Sequence, residues 1–160
     1  ILALASTMAA RGPAEQRVEA QRTLEALTRL RNPRVAQLAE VQRWRSLVVS
    51  ARADDVARWQ RIIDGLGPPL RGGAYYLLGQ ALARQNRQRE AALAFMRVPI
   101  LYPGEGDLVA ESLLAAADAL QSSDQIEEAR ICLRELLREH PDSAAAAGAK
   151  LKLESTATGG

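Results

Sequence analysis

Prolines recur along this chain at a nearly constant interval, at Pro33, Pro68, Pro103 and Pro141, with spacings of 35, 35 and 38 residues. A fixed period in this range is typical of a solenoid, in which each unit is one supersecondary structure that packs mainly on its neighbours. The prolines therefore predict a repeat architecture, in which the core continues from unit to unit.

The last two units can be superposed on each other with a shift of 38 residues. Apolar residues then fall on apolar residues, and small residues fall on small residues. The matched pairs are Tyr75 with Leu113, Leu78 with Ala116, Gly79 with Ala117, Leu82 with Leu120, Ala91 with Ala129 and Phe95 with Leu133. This agreement indicates an internal repeat.

Each unit divides into two amphipathic helices. Tyr75, Leu78 and Leu82 are spaced i, i+3 and i+7, which places them on one face of a first helix. Ala91 and Phe95 begin the apolar stripe of a second helix. The composition agrees, because the abundant alanine, leucine, arginine and glutamate lose little rotamer freedom in a helix. The predicted fold class is therefore all-α.

The turns between paired helices carry their own signals. Asn86 and its repeat counterpart Asp124 stand where a left-handed residue is often required, and Asn and Asp tolerate that conformation. Asp124 is also predicted to cap the helix that follows it, with Glu127 reaching back. Pro99 lacks a backbone N–H, so we expect the second helix of its unit to end or kink near Val98.

The complete pattern of this unit resembles the tetratricopeptide consensus: Tyr75-x2-Leu78-Gly79-x2-Leu82, then Ala91-x3-Phe95, then Pro103. The resemblance implies a right-handed α-solenoid of antiparallel helical hairpins, with about 3–4 hairpins and a C-terminal capping helix. It also implies that the small residues at positions 79 and 91 let the two helices of a hairpin approach closely.

The domain prediction is one solenoid over residues 1–160, with two well-matched repeats in residues 71–141. A capping helix is expected over residues 142–153, and a disordered tail over residues 154–160. Residues 1–70 are expected to form degenerate hairpins. Their small residues are missing, since Trp44 and Val56 stand near the positions of Gly79 and Ala91, so splayed helices or altered crossing angles are predicted there.

Two further features of the N-terminal part lead to predictions about packing. A helix is expected over residues 14–31, with Val18, Leu24, Leu27 and Leu30 on its apolar side. The two tryptophans, Trp44 and Trp59, are interpreted as core or inter-hairpin packing rather than exposed anchors.

No residue set in the sequence has the pattern of an active site, a cofactor site or a metal site, so we expect no enzyme. Cys132 lies between apolar neighbours and is interpreted as a packed structural thiol. His140, the only histidine, precedes a proline as its counterpart Tyr102 does, and both are expected to close a hairpin. One histidine and one cysteine are too few for a metal-ligand set.

The resemblance also implies a binding surface. In tetratricopeptide stacks the first helix of each hairpin lines the concave side, and its outward positions meet peptide ligands. The matched positions predict a partner-binding set of Tyr76, Gln80, Arg84, Glu111, Leu114, Asp118 and Gln121. In that set Tyr76 and Leu114 offer apolar contact and Arg84 can take a carboxylate. The basic clamp that the family uses for a C-terminal carboxylate is not reproduced, because acids occupy the second unit.

The predicted function is a protein-interaction scaffold or adaptor that binds a partner protein or peptide through its concave face. An alternative is an architectural subunit of a larger assembly, held by edge and end-to-end helix packing. A nucleic-acid-binding repeat module is a minor alternative. Residues 1–72 hold twelve arginines against seven acids, but the acids are interspersed, unlike the dense basic stripe of a nucleic-acid binder.

The compartment cannot be read directly from these residues. The endings Leu101-Tyr102-Pro103 and Glu139-His140-Pro141 resemble those of bacterial envelope tetratricopeptide proteins, such as the Tol–Pal-associated periplasmic repeat protein and the outer-membrane assembly repeat lipoprotein. This resemblance implies a bacterial scaffold in the periplasm, with the cytoplasm as the alternative. The chain begins at Ile1 rather than Met, so we expect that a signal or anchor has been removed upstream.

Overall fold

The computed structural model of this protein describes residues 5, 8, 9 and 12–157. These residues contain eight long α-helices and no strand. The helices are α1 Ala14–Thr28, α2 Pro33–Leu47, α3 Ala53–Gly65, α4 Pro68–Arg84, α5 Gln88–Leu101, α6 Gly106–Gln121, α7 Ile126–Glu139 and α8 Ala146–Ala157. The predicted all-α helical-repeat solenoid is confirmed.

The helices form two layers of different spacing. Helices α2, α4, α6 and α8, here called the first helices, each approach the next one with Cα atoms within 8 Å. Helices α3, α5 and α7, the second helices, make no such approach to one another within the described residues. The stack therefore curves with the first helices on its inner, concave side.

The two best-matched units are built on the close approach that the sequence predicts. Gly79 and Ala91 are both fully buried between α4 and α5. A Cβ atom placed on Gly79 would lie 2.6 Å from Cε1 of Phe95, so only a glycine leaves room for that ring. The aromatic ring of Tyr76 packs on the other side of Phe95, with ring centroids 5.6 Å apart.

The pair α2 and α3 is splayed, as predicted. No Cα atom of α2 lies within 8 Å of α3, whereas both helices reach α4. The space between them is filled by Trp44 and Trp59, which are fully buried and stack with ring centroids 4.7 Å apart and an interplanar angle of 8°. Two indole rings need more room than a glycine and an alanine, so they hold the backbones apart.

Helix α1 belongs to a small apolar cluster of its own. Ala20 and Leu24 are buried there against Ala5 and Ala9, apart from the main core. The predicted apolar side is partly wrong, because Val18 and Leu30 are about half exposed. Leu30 follows the end of the helix, and Val18 faces the concave side of the stack, where no apolar element covers it.

The left-handed turns are confirmed, since Asn86 and Asp124 both have φ of 60°. The capping role of Asp124 is wrong. Gln125 occupies the N-cap position of α7, and no side chain of the cap residue bonds the first turn. Because Asp124 supplies the left-handed residue one position earlier, its carboxylate does not stand at the helix N-terminus.

Two predicted helix ends lie elsewhere. Helix α5 continues through Pro99 to Leu101, because the N–H of Tyr102 donates to the carbonyl of Val98 at 2.8 Å and holds the last turn. Helix α8 extends to Ala157, so residues 154–157 are helical and not part of a disordered tail. Neither proline nor glycine interrupts the chain there before Gly159. Residues 158–160 lie outside the described residues.

None of the helices in the described part of the chain is long and apolar enough to cross a membrane.

Candidate protein-binding groove

The concave side of the stack carries a groove made of two connected hollows. The first hollow, of about 740 Å³, lies between α1, α2, α4 and α6. The second hollow, of about 520 Å³, continues along α2, α4 and α6 and reaches α5. Arg45, Val49 and Gln80 line both hollows and form the waist between them.

Five of the seven side chains predicted to meet a partner line this groove. Tyr76, Gln80 and Glu111 line the first hollow. Gln80, Arg84 and Asp118 line the second. Successive first helices lie side by side, so outward positions one helical turn apart on α4 face the equivalent positions on α6.

On the side of the groove toward α8, Leu114 and Asp118 already contact that helix, and the other predicted position, Gln121, lies outside both hollows. Leu114 lines neither hollow, and its side chain packs near Gly148 of α8. Asp118 lines the second hollow, but its carboxylate forms an ion pair with Lys152 of α8 at 2.5 Å. Gln121 lines neither hollow. The last helix therefore already engages this edge.

Tyr76 is the centre of a polar network on the floor of the first hollow. The carboxylate of Glu111 and the amide of Gln80 lie close to its hydroxyl. Burial raises the pKa of the Tyr76 hydroxyl, the negative charge of Glu111 raises it further, and the neighbouring Gln80 opposes both. The phenol therefore stays neutral at physiological pH.

Sequence reasoning missed the wall of the groove that α1 and α2 provide. Arg45 of α2 and Val49 in the turn just after it follow Pro33 at the same distances at which Gln80 and Arg84 follow Pro68. The proline period thus contained the signal for both residues. Arg17, Val18 and Gln21 of α1 also line the first hollow. Nothing in the sequence indicates that α1 faces the concave side.

The positive and negative side chains of the groove differ in how many of them form ion pairs. Arg17, Arg45 and Arg84 form no ion pair with any residue that the structure describes. Of the two acids that line it, Asp118 pairs with Lys152, while Glu111 forms no ion pair with a described residue. The groove therefore presents more unneutralised positive than negative charge.

Cys132 and His140 have the structural surroundings that the sequence predicts. The thiol of Cys132 is buried at 3.7 Å from the sulfur of Met96. Burial and the nearby Glu135 raise its pKa to about 11. His140 and its counterpart Tyr102 end their helices with nearly the same backbone, φ −134° with ψ of 52° and 51°. Over the described residues no three acids, histidines or cysteines cluster as a metal site would require.

The family model described as tetratricopeptide repeat matches residues 73–104 and 111–143. The chain is similar to this family over these two segments. Their start points lie 38 residues apart, which is the shift found within the sequence, and they cover most of α4 with α5 and most of α6 with α7. No curated protein and no solved structure shows significant similarity to the chain. The likeness to envelope proteins has no support from these comparisons and stays a prediction.

Proposed function

We propose that this protein is a non-catalytic interaction scaffold that binds a partner protein or peptide in the groove on its concave side. Tetratricopeptide repeats commonly mediate protein–protein interaction, and two of them supply the floor of the groove through α4 and α6. The observation that supports the proposal most directly is the composition of the waist, where the two hollows of the groove meet. There, the exposed Arg45 of α2, the exposed Val49 just after α2 and the half-buried Gln80 of α4 line both hollows.

The chemistry of the groove suits an extended or helical polypeptide segment. Gln21 and Gln80 have amide groups that can pair with a peptide backbone as donor and acceptor. Val18, Val49 and Leu108 offer apolar surface that a partner side chain can cover. Because the floor is a set of packed helices, the partner segment does not have to order the site before binding.

The experiment is a pull-down from the native extract with the wild-type chain and two variants of equal helicity. Gln80→Trp places a large ring at the waist, where Gln80 lines both hollows. Gln60→Trp makes the same change at an exposed position of α3 that lines neither hollow. Captured proteins are quantified by mass spectrometry.

We expect a partner that is captured by the wild type and by Gln60→Trp and is lost with Gln80→Trp, because the ring fills the waist. Equal capture by all three proteins would place the contact elsewhere and refute the groove as the binding site.

A second candidate function is an architectural role in a larger assembly, and one observation favours it. Leu93 of α5 and Ile131 of α7 are repeat equivalents, 38 residues apart, and are exposed by 65% and 59% on the second helices. Unless a neighbour covers it, an apolar pair in register on the outer layer is unusual. Sedimentation analysis tests this, because self-assembly through that face should be abolished by Leu93→Glu with Ile131→Glu. A wild-type monomer would contradict self-assembly.

Location in a bacterial envelope, specifically the periplasm, is part of this second proposal. It rests on the helix endings near Pro103 and Pro141.

A further inference from the structure

Resting on the proposed function, we infer that the partner segment in the groove is acidic, with carboxylate side chains flanking an apolar one. The carboxylates pair with Arg45 and Arg84, and the apolar side chain covers Val49. The inference follows from charge complementarity at the waist and along the second hollow.

The first step is the charge that the fold leaves unneutralised. Of the charged side chains that line the second hollow, the one acid, Asp118, pairs with Lys152. Arg45 and Arg84 have exposed side chains and no ion pair with any described residue. Six other arginines of the described chain pair with a nearby carboxylate on their own helix or in the adjoining turn. Arg45 and Arg84 differ from unpaired surface arginines such as Arg89 because they line the second hollow.

The second step is the arrangement of these groups. Arg45 stands at the waist on α2, and Arg84 stands in the last turn of α4, so both face the second hollow. Val49 is 71% exposed in the turn that follows α2, and it lines the same hollow as Arg45. A planar guanidinium binds a carboxylate through two parallel hydrogen bonds, so each arginine favours a carboxylate over a neutral group.

The third step is the choice between an acidic polypeptide and a nucleic acid, which is also an anion. Single-stranded nucleic acid needs aromatic faces on which bases can stack. Within the groove Tyr76 and Phe95 are the aromatic side chains, and they pack against each other. Isolated carboxylates next to an apolar residue fit this mixture better.

The test uses a displayed library of random peptides, selected separately on the wild-type chain and on two variants. Arg45→Glu with Arg84→Glu reverses the two groove charges. Arg89→Glu with Arg134→Glu is the matched control. It makes the same charge change at exposed arginines of α5 and α7 that form no ion pair with described residues.

We expect the wild-type chain to enrich peptides with acidic residues beside an apolar one. Their affinity, measured by fluorescence anisotropy, should fall by at least about tenfold in the groove variant, which is the loss of roughly one charge-assisted pair. It should stay within about twofold in the control, and the milder Arg45→Gln with Arg84→Gln should lie between.

Four outcomes would overturn the inference. Enriched peptides that lack acids would contradict it directly. An equal loss in the groove variant and in the control would reduce it to non-specific attraction by overall charge. Tighter binding of a single-stranded oligonucleotide than of any peptide at the same salt concentration would favour the nucleic-acid reading. Peptides that are lost with Gln80→Trp but unaffected by charge reversal would leave the proposed function standing while removing this inference.

Discussion

Replacement of Gly79 by alanine adds a single carbon atom and tests whether this residue lies at the close contact between α4 and α5. The new Cβ would lie 2.6 Å from Cε1 and 2.7 Å from Cδ1 of Phe95, well inside van der Waals contact. The ring cannot turn away freely, because Phe95 is only 3% exposed and Tyr76 packs against it. A shift of the Phe95 ring would therefore also displace Tyr76, which lines the first hollow.

The expected magnitude combines two opposing terms. Alanine is about 1 kcal/mol better than glycine in a helix interior. Overpacking of a filled site costs about 1–3 kcal/mol. Gly79→Ala should therefore lower the free energy of unfolding by about 0–2 kcal/mol. With Phe95→Leu already present, the clash disappears, and the same substitution should raise the free energy of unfolding by about 1 kcal/mol.

Urea unfolding followed by circular dichroism measures all four proteins of this cycle. Gly73→Ala is the matched control on the same helix, because a Cβ there meets nothing within 4 Å, and it should stabilise the protein by up to about 1 kcal/mol. If Gly79→Ala stabilised the protein equally with and without Phe95, the close packing of α4 on α5 around this glycine would be refuted.

Three further changes have defined expectations. Trp59→Ala empties half of the indole stack between α2 and α3 and should cost about 3–5 kcal/mol in urea unfolding; a loss below about 1 kcal/mol would mean the stack is not part of the core. Cys132 should resist a thiol reagent at pH 8 until urea is added. Because burial raises its pKa from 9.0 to about 11, its contribution to stability should be complete below pH 9 and lost as the pH rises from 9 to 11. A Cys132→Ala variant with the same alkaline profile would contradict this assignment. Asn86→Val should destabilise by about 1–2 kcal/mol, because its φ is 60°, whereas Asn86→Gly should be nearly neutral; equal melting temperatures for the two would refute the turn.

The parts of the fold that follow from local rules could be predicted from the sequence. The helix stripes, the left-handed turns at Asn86 and Asp124, and the close approach at Gly79 each depend on residue types at fixed spacing. The continuation of α5 through Pro99 could not be predicted from such a local rule. The missing hydrogen bond favours a break, but the apolar face that includes the buried Val98 holds the final turn in place.

The site was predictable only as far as the repeat register extends. Positions on α4 and α6 could be transferred from one unit to the other, and Arg45 could have been found by the same proline spacing. The position of α1 beside the groove depends on packing between Ala20, Leu24 and residues before α1, which carry no pattern that indicates a direction. The pairing of Asp118 with Lys152 depends on how α8 docks, which no period specifies.

The most direct test of the concave groove as the binding site is hydroxyl-radical footprinting of the chain with and without its captured partner. This measurement reports the solvent access of individual side chains on both layers in one sample. We predict that the partner protects Tyr76 on α4 and Val49 just after α2, and leaves Leu93 and Ile131 on the second helices as reactive as before. Protection of Leu93 and Ile131 with Tyr76 and Val49 unchanged would contradict the account and favour assembly through the outer layer.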